Sequence, residues 1–167
     1  MSLGPGLVIW ITGLPGAGKT TIAGEVAALL RAKTPAVVQV DGDVLREVMG
    51  NDLGYSPKDR LENAWRVSRL CRMLSVQGLQ VVCATVSLFS DIHDWNRKNL
   101  ARYVEVYLRV SNDTLSERNQ KGLMQGADNV VGVNQSYDVP QRPDAVIDNE
   151  GKHSPRAVAE QIVALVR

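Results

Sequence analysis

Residues 13–20 constrain the fold of this chain more than any other stretch of its sequence. They read Gly-Leu-Pro-Gly-Ala-Gly-Lys-Thr and fit the pattern G-x-x-x-x-G-K-[ST] of a phosphate-binding P-loop. The glycines leave room for the backbone to turn, so that successive N–H groups can point at a polyphosphate. In such a loop the lysine, here Lys19, reaches the β- and γ-phosphates, and the hydroxyl of Thr20 can ligate Mg²⁺.

The segments on either side of the loop support this interpretation. Residues 7–11 form an apolar run typical of a buried strand, and residues 21–31 carry apolar side chains at helical spacing. Glycine-rich turns also occur without a ligand, but a strand, a loop and a helix in this order are what phosphate binding requires. We therefore interpret residues 13–20 as a functional P-loop rather than a structural glycine turn.

Apolar strand patterns and helical patterns alternate along the rest of the chain. The predicted strands are 7–11, 36–40, 79–86, 103–110 and 145–147, and the predicted helices are 21–31, 44–49, 58–77, 91–102, 112–120 and 154–166. Strands that are apolar throughout and alternate with helices predict a parallel sheet covered on both faces. The expected fold is therefore α/β, a three-layer P-loop NTPase-like domain with a parallel five-stranded sheet, whose ligands bind at the carboxyl ends of the strands.

The length and composition indicate a single domain. A chain of 167 residues can bury one substantial core, so we expect residues 1–167 to form one domain. Residues 121–143 contain five glycines and prolines and little periodicity, which predicts a mobile lid.

Charge and cysteine usage narrow the function classes. The net charge of +1 predicts no general attraction to nucleic acid or to a membrane, and no apolar run reaches the length of a membrane span. Cys71 and Cys83 lie in apolar patterns, which predicts buried free thiols in a reducing compartment. The opening residues lack a secretory signal pattern, so we expect a cytoplasmic protein. His93 and His153 lack metal-ligand spacing and are predicted to lie on the surface.

The segment Asp41-Gly42-Asp43 follows the second predicted strand. Two carboxylates at that strand end could hold Mg²⁺ through water, or orient an acceptor hydroxyl and take its proton. Asp-Gly is also ordinary turn chemistry, and both interpretations can hold together. We favour a functional role because the P-loop is expected beside it.

Three polar residues near the long predicted helix come next. Arg60 and Asn63 lie one helical turn apart on the arc that carries the apolar side chains, and Arg46 precedes them in the shorter helix. An inward guanidinium needs an anion, which points to an acidic ligand. The alternative is an internal salt bridge from Arg60 to a carboxylate such as Asp41 or Asp43.

Four further residues have weaker signals. Tyr55 lies in a loop near the arginines and could stack on a base or serve loop packing. Ser87 and Phe89 follow the third strand, where a serine can bind substrate and a phenylalanine can belong to the core. Lys121 opens the predicted lid and could neutralise a transferring phosphate, or remain solvated.

Several linked segments together resemble adenylylsulfate (APS) kinases, which phosphorylate the ribose 3′-hydroxyl of APS with MgATP. The resemblance spans residues 8–149, and its motifs are the P-loop GLPGAGKTT, VDGDVLR at 40–46, LGYS at 53–56, Asp59-Arg60, Glu62-Asn63, Ser87, KGL at 121–123, YDVP at 137–140 and Ile147-Asp148. The resemblance implies that ATP and Mg²⁺ are the cofactors, that a small nucleotide is the substrate, and that a homodimer is possible.

The resemblance also implies roles for individual residues. Lys19, Asp41, Asp43 and Lys121 would be catalytic, with Thr20 and Asp41 serving the metal. ATP would be bound by Gly13, Leu14, Pro15, Gly16, Ala17, Gly18, Lys19, Thr20, Thr21 and Arg118. The acceptor would be bound by Asp43, Arg46, Tyr55, Arg60, Asn63, Val86, Ser87, Lys121 and Val130.

One departure from the family pattern leaves the acceptor open. The family clamps the adenine of APS between two aromatic rings; Tyr55 keeps one, but Val130 stands where the other is expected. The first hypothesis is an APS kinase. The second is a kinase for another nucleotide, such as a cytidine nucleotide carrying a phosphoramidate. The third is a nucleotide-binding module without turnover, against which the intact Lys19, Thr20 and Asp41 argue.

Overall fold

Strands and helices alternate along the chain in the computed structural model, which describes residues 4–119 and 130–166. In chain order the elements are β1 (Leu7–Thr12), α1 (Lys19–Arg31), β2 (Val37–Asp41), α2 (Gly42–Val48), α3 (Pro57–Val76), β3 (Gln80–Thr85), α4 (Ser90–Asn99), β4 (Arg102–Arg109), α5 (Asn112–Arg118), β5 (Ala145–Asp148) and α6 (Pro155–Ala164). The five strands form one sheet in the order β2-β3-β1-β4-β5, and every neighbouring pair is parallel.

Both faces of the sheet are covered. On one face α1 and α6 pack against alternate residues of the strands, among them Ile9, Ile11 and Leu108. On the other face α3 lies on Val8 and Trp10, which point the opposite way because side chains alternate along a strand. The predicted three-layer α/β fold with five parallel strands is confirmed.

Among the element boundaries that differ from the prediction, two have a clear local reason. Helix α2 begins at Gly42 rather than at residue 44, because the Asp41 carboxylate caps it by accepting from the backbone N–H of Asp43 at 2.9 Å. Helix α4 ends at Asn99, three residues early, because Leu100 is extended and buries its side chain beside the sheet before β4 begins.

The burial of the cysteines and histidines can be compared with the prediction. Cys71 and Cys83 are buried free thiols, as predicted, and burial raises the pKa of the Cys83 thiol. His153 is exposed, as predicted. The prediction for His93 was wrong: this side chain is only 7% exposed, because it lies on the sheet-facing side of α4. Its Nε2 donates to the backbone carbonyl of Ser87 at 2.9 Å, which satisfies the buried imidazole.

No helix in residues 4–119 or 130–166 combines the length and the apolarity that crossing a membrane demands.

Candidate active site

The P-loop joins the carboxyl end of β1 to the first turn of α1. Gly16 and Gly18 adopt positive φ angles of 83° and 90°, which L side chains rarely adopt. A Cβ at Gly18 would also lie 2.8 Å from the side-chain nitrogen of Asn149. The loop therefore needs glycine at position 18 for both its backbone conformation and its close contact with Asn149.

Side chains from distant parts of the sequence hold the backbone of this loop. Asn149 donates from Nδ2 to the Ala17 carbonyl at 2.8 Å, and Arg118 donates from Nη1 to the Gly16 carbonyl at 3.0 Å. Arg118 also donates from Nη2 to the Asn149 carbonyl at 2.5 Å, so the two residues brace one another. A cavity lies beside the P-loop, and neither of these two side chains lines it. The structure thus places Arg118, predicted to bind ATP, against the loop backbone.

Lys19 is buried at the start of α1 and donates from Nζ to the Leu14 carbonyl at 2.8 Å. Burial lowers the pKa of Lys19 to about 8, and the carboxylates of Asp43 and Asp41 oppose that shift without cancelling it. The ammonium group is therefore easier to deprotonate than an exposed lysine.

Carboxylate and hydroxyl oxygens meet beside this lysine. The Thr20 hydroxyl donates to Oδ2 of Asp41 at 2.7 Å, while Oδ1 of Asp41 caps α2. The Asp-Gly-Asp segment is thus both a helix start and part of the cavity wall. A hydroxyl and a carboxylate are oxygen donors of the kind that suits Mg²⁺. Within the described residues no cluster of three or more His, Cys, Asp or Glu side chains could hold a metal, so the remaining ligands would come from phosphate and water.

Two guanidinium groups face the same cavity from α2 and α3. The carbon at the centre of each guanidinium lies over the Tyr55 ring, at 4.6 Å for Arg46 and 5.2 Å for Arg60. Arg46 is buried and donates from Nη1 to the Gly54 carbonyl at 2.8 Å. The pKa of Arg60 is lowered mainly by burial and, to a smaller extent, by the positive charge of Arg46. Two adjacent guanidinium groups of this kind are able to bind an anion.

The alternative for Arg60 is a salt bridge to a carboxylate of the chain such as Asp41 or Asp43. Among the described residues no ion pair joins Arg60 to Asp41 or to Asp43, although Asp43 is close enough for its charge to raise the pKa of Arg60. Both carboxylates line the cavity together with Arg60.

Buried polar side chains also line the cavity that Lys19 and the two guanidinium groups share. Asn63 donates from Nδ2 to the Gly42 carbonyl at 3.4 Å, and its Oδ1 is buried without a hydrogen-bond partner in the described part of the chain. The hydroxyls of Thr85 and Ser87 are 2.7 Å apart. A buried acceptor without a partner is costly, so Asn63 is suited to accept from a ligand hydroxyl or amine.

Residues 130–138, which we call the cover segment, contribute part of the cavity lining. Val131 and Gln135 belong to the lining, together with Ser136 and Tyr137. Val130, predicted to bind the acceptor, is buried and does not line the cavity. Lys121 lies outside the described residues, and so do residues 122–129 of the predicted lid.

One cavity of about 470 Å³ joins the P-loop to the guanidinium pair. The predicted site residues that line it are Pro15, Gly16, Gly18, Lys19, Thr20, Thr21, Asp41, Asp43, Arg46, Tyr55, Arg60, Asn63, Val86 and Ser87. Those that do not are Gly13, Leu14, Ala17, Arg118 and Val130. Sequence reasoning missed Thr85, Leu88, Gln135 and Tyr137. The last two lie in residues 121–143, which show little periodicity.

Comparisons with known proteins agree with this geometry. The profile of the family described as Adenylylsulphate kinase matches residues 5–148. A cytidine diphosphoramidate kinase of Campylobacter jejuni is 37% identical over 161 residues, 93% of this chain and 94% of that protein. An adenylyl-sulfate kinase of Halothermothrix orenii is 35% identical over 144 residues, 83% of this chain and 78% of that protein. The Mycobacterium tuberculosis APS kinase CysC, solved in complex with AMPPNP and APS, superposes with a TM-score of 0.88 at 28% identity, covering 98% of each chain.

The fold and the site therefore define a P-loop kinase, a phosphotransferase with a hydroxyl group as acceptor. Within that class, the chain belongs to the adenylylsulphate kinase family.

Proposed function

We propose that this kinase transfers the γ-phosphoryl group of ATP to a ribose hydroxyl of a nucleotide whose 5′-phosphate carries a second group. The observation that carries the proposal is the single cavity of about 470 Å³ with a P-loop on one side and the Arg46 and Arg60 guanidinium groups on the other. A phosphate donor and an anionic acceptor can bind there facing one another, and holding two reactants in line is the main requirement of phosphoryl transfer.

On the donor side, the P-loop amides and Lys19 would hold the ATP phosphates. Thr20 and Asp41 would hold Mg²⁺, which supplies positive charge to the transferring phosphoryl group when it is bound. The 2.7 Å hydrogen bond between these two residues supports a shared role. Lys121 keeps its proposed role as a further cation beside the transferring group.

On the acceptor side, Arg46 and Arg60 would bind the anionic end of the acceptor. Asp43 is exposed to the cavity and would accept the proton of the attacking hydroxyl. Asn63 would accept a hydrogen bond from the ribose through its unpartnered Oδ1. Val86 and Ser87 would line the wall beside it, and the exposed ring of Tyr55 would stack on the base.

Adenylyl sulfate is the first candidate acceptor, with 3′-phosphoadenylyl sulfate as the product. It is the acceptor implied by the family and by the names of its adenylyl-sulfate kinase members. The sulfate would occupy the guanidinium pair.

Cytidine diphosphoramidate is the second candidate, and two observations favour it. The relative at 37% identity carries the name of that activity and matches over nearly its whole length. In addition, the aliphatic Val130 stands where the second adenine-clamping ring of the family is expected. A stacked ring contributes roughly 1–3 kcal/mol per base, so its absence weakens the case for a large purine.

A coupled assay of ADP release separates these candidates. The purified chain is given MgATP and either adenylyl sulfate or cytidine diphosphoramidate, with the unsubstituted AMP and CDP as matched controls. Turnover of one derivative with the higher kcat/KM, and little turnover of its control, identifies the acceptor. ATP binding without transfer to any of them would contradict the proposal and favour a module without turnover.

We further propose that residues 1–167 form one kinase domain with a lid over residues 121–143, and that this domain forms a homodimer. Sedimentation of the purified chain over a range of concentrations tests the second point.

A further inference from the structure

The backbone carbonyl of Tyr55 accepts two side-chain hydrogen bonds from different parts of the chain. One comes from Nε of Arg60 at 3.2 Å, and the other from Nε2 of Gln135 at 2.9 Å. Gln135 lies 80 residues from Tyr55 in sequence. The same tyrosine supports both guanidinium groups with its ring, so its position affects the whole acceptor pocket.

The turn that presents Gln135 is itself fixed. The backbone N–H of Gly132 donates to the Gln135 carbonyl at 3.0 Å, and that of Gln135 donates to the Val130 carbonyl at 3.2 Å. Gly132 has a φ of 83°, and a Cβ there would lie 2.8 Å from Cδ2 of Leu14. The turn therefore rests directly on the P-loop.

A second anchor follows the turn. The backbone N–H of Asp138 donates to the Leu88 carbonyl at 3.0 Å, and its carboxylate accepts from the N–H of Ser90 at 2.8 Å. One end of the cover segment contacts the P-loop and the other is hydrogen-bonded to the β3–α4 connection, so Gln135 is presented to Tyr55 from a segment held at both ends.

We propose that Gln135 is a positioning residue for the acceptor pocket, which acts through the Tyr55 carbonyl on the guanidinium of Arg60. This inference rests on the proposed function, because it assumes that Arg60 binds the acceptor. An arginine whose Nε is anchored presents its planar guanidinium in one orientation, so less rotamer freedom is lost when an anion binds. Gln135 fixes the carbonyl that provides this anchor.

The consequence is a selective effect on the acceptor. Loss of the Gln135 hydrogen bond leaves the P-loop amides and Lys19 untouched, so ATP binding stays the same. The Tyr55 carbonyl and Arg60 gain freedom, and the KM of the acceptor rises. A residue that served only the stability of the fold would change both KM values or neither.

The test is a steady-state comparison of Gln135→Met, Gln135→Glu and the wild-type chain. Methionine keeps the length and shape of glutamine but cannot donate a hydrogen bond. We expect Gln135→Met to raise the acceptor KM about three- to tenfold, the effect of one ordinary hydrogen bond, with the KM of ATP unchanged. Gln135→Glu should raise it further, because a carboxylate repels the Tyr55 carbonyl and competes with the acceptor for Arg60.

Two further variants complete the experiment. Gln141→Ala removes an exposed amide whose bond, to the Val139 carbonyl, is local, and it should behave as wild type. In an Arg60→Ala background, Gln135→Met should produce no further rise, because its effect passes through Arg60.

The outcomes are distinguishable. A Gln135→Met variant with the wild-type acceptor KM, or with an equal rise in both KM values, overturns the role of Gln135 while the proposed function stands. A wild-type chain that neither binds nor phosphorylates adenylyl sulfate or cytidine diphosphoramidate overturns the proposed function and this inference with it.

Discussion

The Thr20 hydroxyl donates a 2.7 Å hydrogen bond to Oδ2 of Asp41, and this contact joins the first turn of α1 to the end of β2. It brings the two predicted metal ligands together in a chain where they are separated by 21 positions. The other carboxylate oxygen of Asp41 caps α2, so one side chain links the first turn of α1 to the helix that carries Arg46.

Asp41→Asn should separate these two duties. Asparagine is also a good N-cap, so the helix start and the melting temperature should be retained. The weaker metal site should lower kcat at least about a hundredfold and raise the Mg²⁺ concentration for half-maximal rate. Activity measured across a magnesium titration tests this. Asp52→Asn, which breaks only a surface ion pair with Arg66, is the matched control; equal losses in both variants would contradict the prediction.

The lowered pKa of Lys19 predicts a pH limit on activity. Lys19 must be protonated to bind polyphosphate, and its pKa is about 8 in the free protein. The kcat/KM for ATP should therefore fall above about pH 8, approaching tenfold per pH unit. The alkaline fall in kcat should occur at a higher pH than the fall in kcat/KM, because bound phosphates favour the ammonium form of Lys19. A kcat/KM that stays flat to pH 10 would show that burial does not depress this pKa.

The same shift affects stability with a definite sign. Between about pH 8 and 10.5, the unfolded chain binds more protons at Lys19 than the folded chain does. The contribution of Lys19 to the free energy of unfolding should therefore rise with pH across that window. Urea unfolding of the wild type and of Lys19→Met at several pH values measures it as the difference in slope between the two chains.

Asn149→Ala should loosen the P-loop without touching the acceptor pocket. The variant loses the hydrogen bond to the Ala17 carbonyl, which spans 132 positions of sequence. We expect the KM of ATP to rise about two- to tenfold, with the acceptor KM unchanged. Asn99→Ala is the control, because that exposed amide bonds only within its own helix. A rise in the acceptor KM alone would be inconsistent with a role for Asn149 in holding the loop.

Arg60→Ala should damage acceptor use and spare ATP. Removing a charge-assisted contact to an anion costs about 1.5–3 kcal/mol, which is a rise of about ten- to a hundredfold in the acceptor KM. Arg66→Ala, on the side of α3 that carries surface ion pairs, should leave both KM values near wild type. If Arg60→Ala instead unfolds the chain while acceptor kinetics at low temperature stay normal, the arginine has a structural role.

Much of the site was predictable because its signals are local. The glycines and Lys19 of the P-loop stand next to a recognisable strand and helix, and Asp41 and Arg60 fall where helical and strand periodicity place them at one edge of the sheet. His93 was mispredicted because a helix of ten residues with few apolar side chains gives a weak indication of its buried face. The lining by Gln135 was missed because residues 121–143 have no regular period.

By itself, the amino-acid sequence determined the parallel α/β architecture and the phosphate-binding loop, since hydrophobic periodicity and glycine spacing act over a few residues at a time. Only the tertiary structure decided which distant groups hold that machinery: Asn149 and Arg118 on the P-loop carbonyls, and Gln135 on the carbonyl of Tyr55. These contacts join a side chain to a backbone atom dozens of residues away, and any polar side chain at the right point in space can make them. Their partners are therefore set by how the strands and loops pack, and no local pattern in the sequence encodes them.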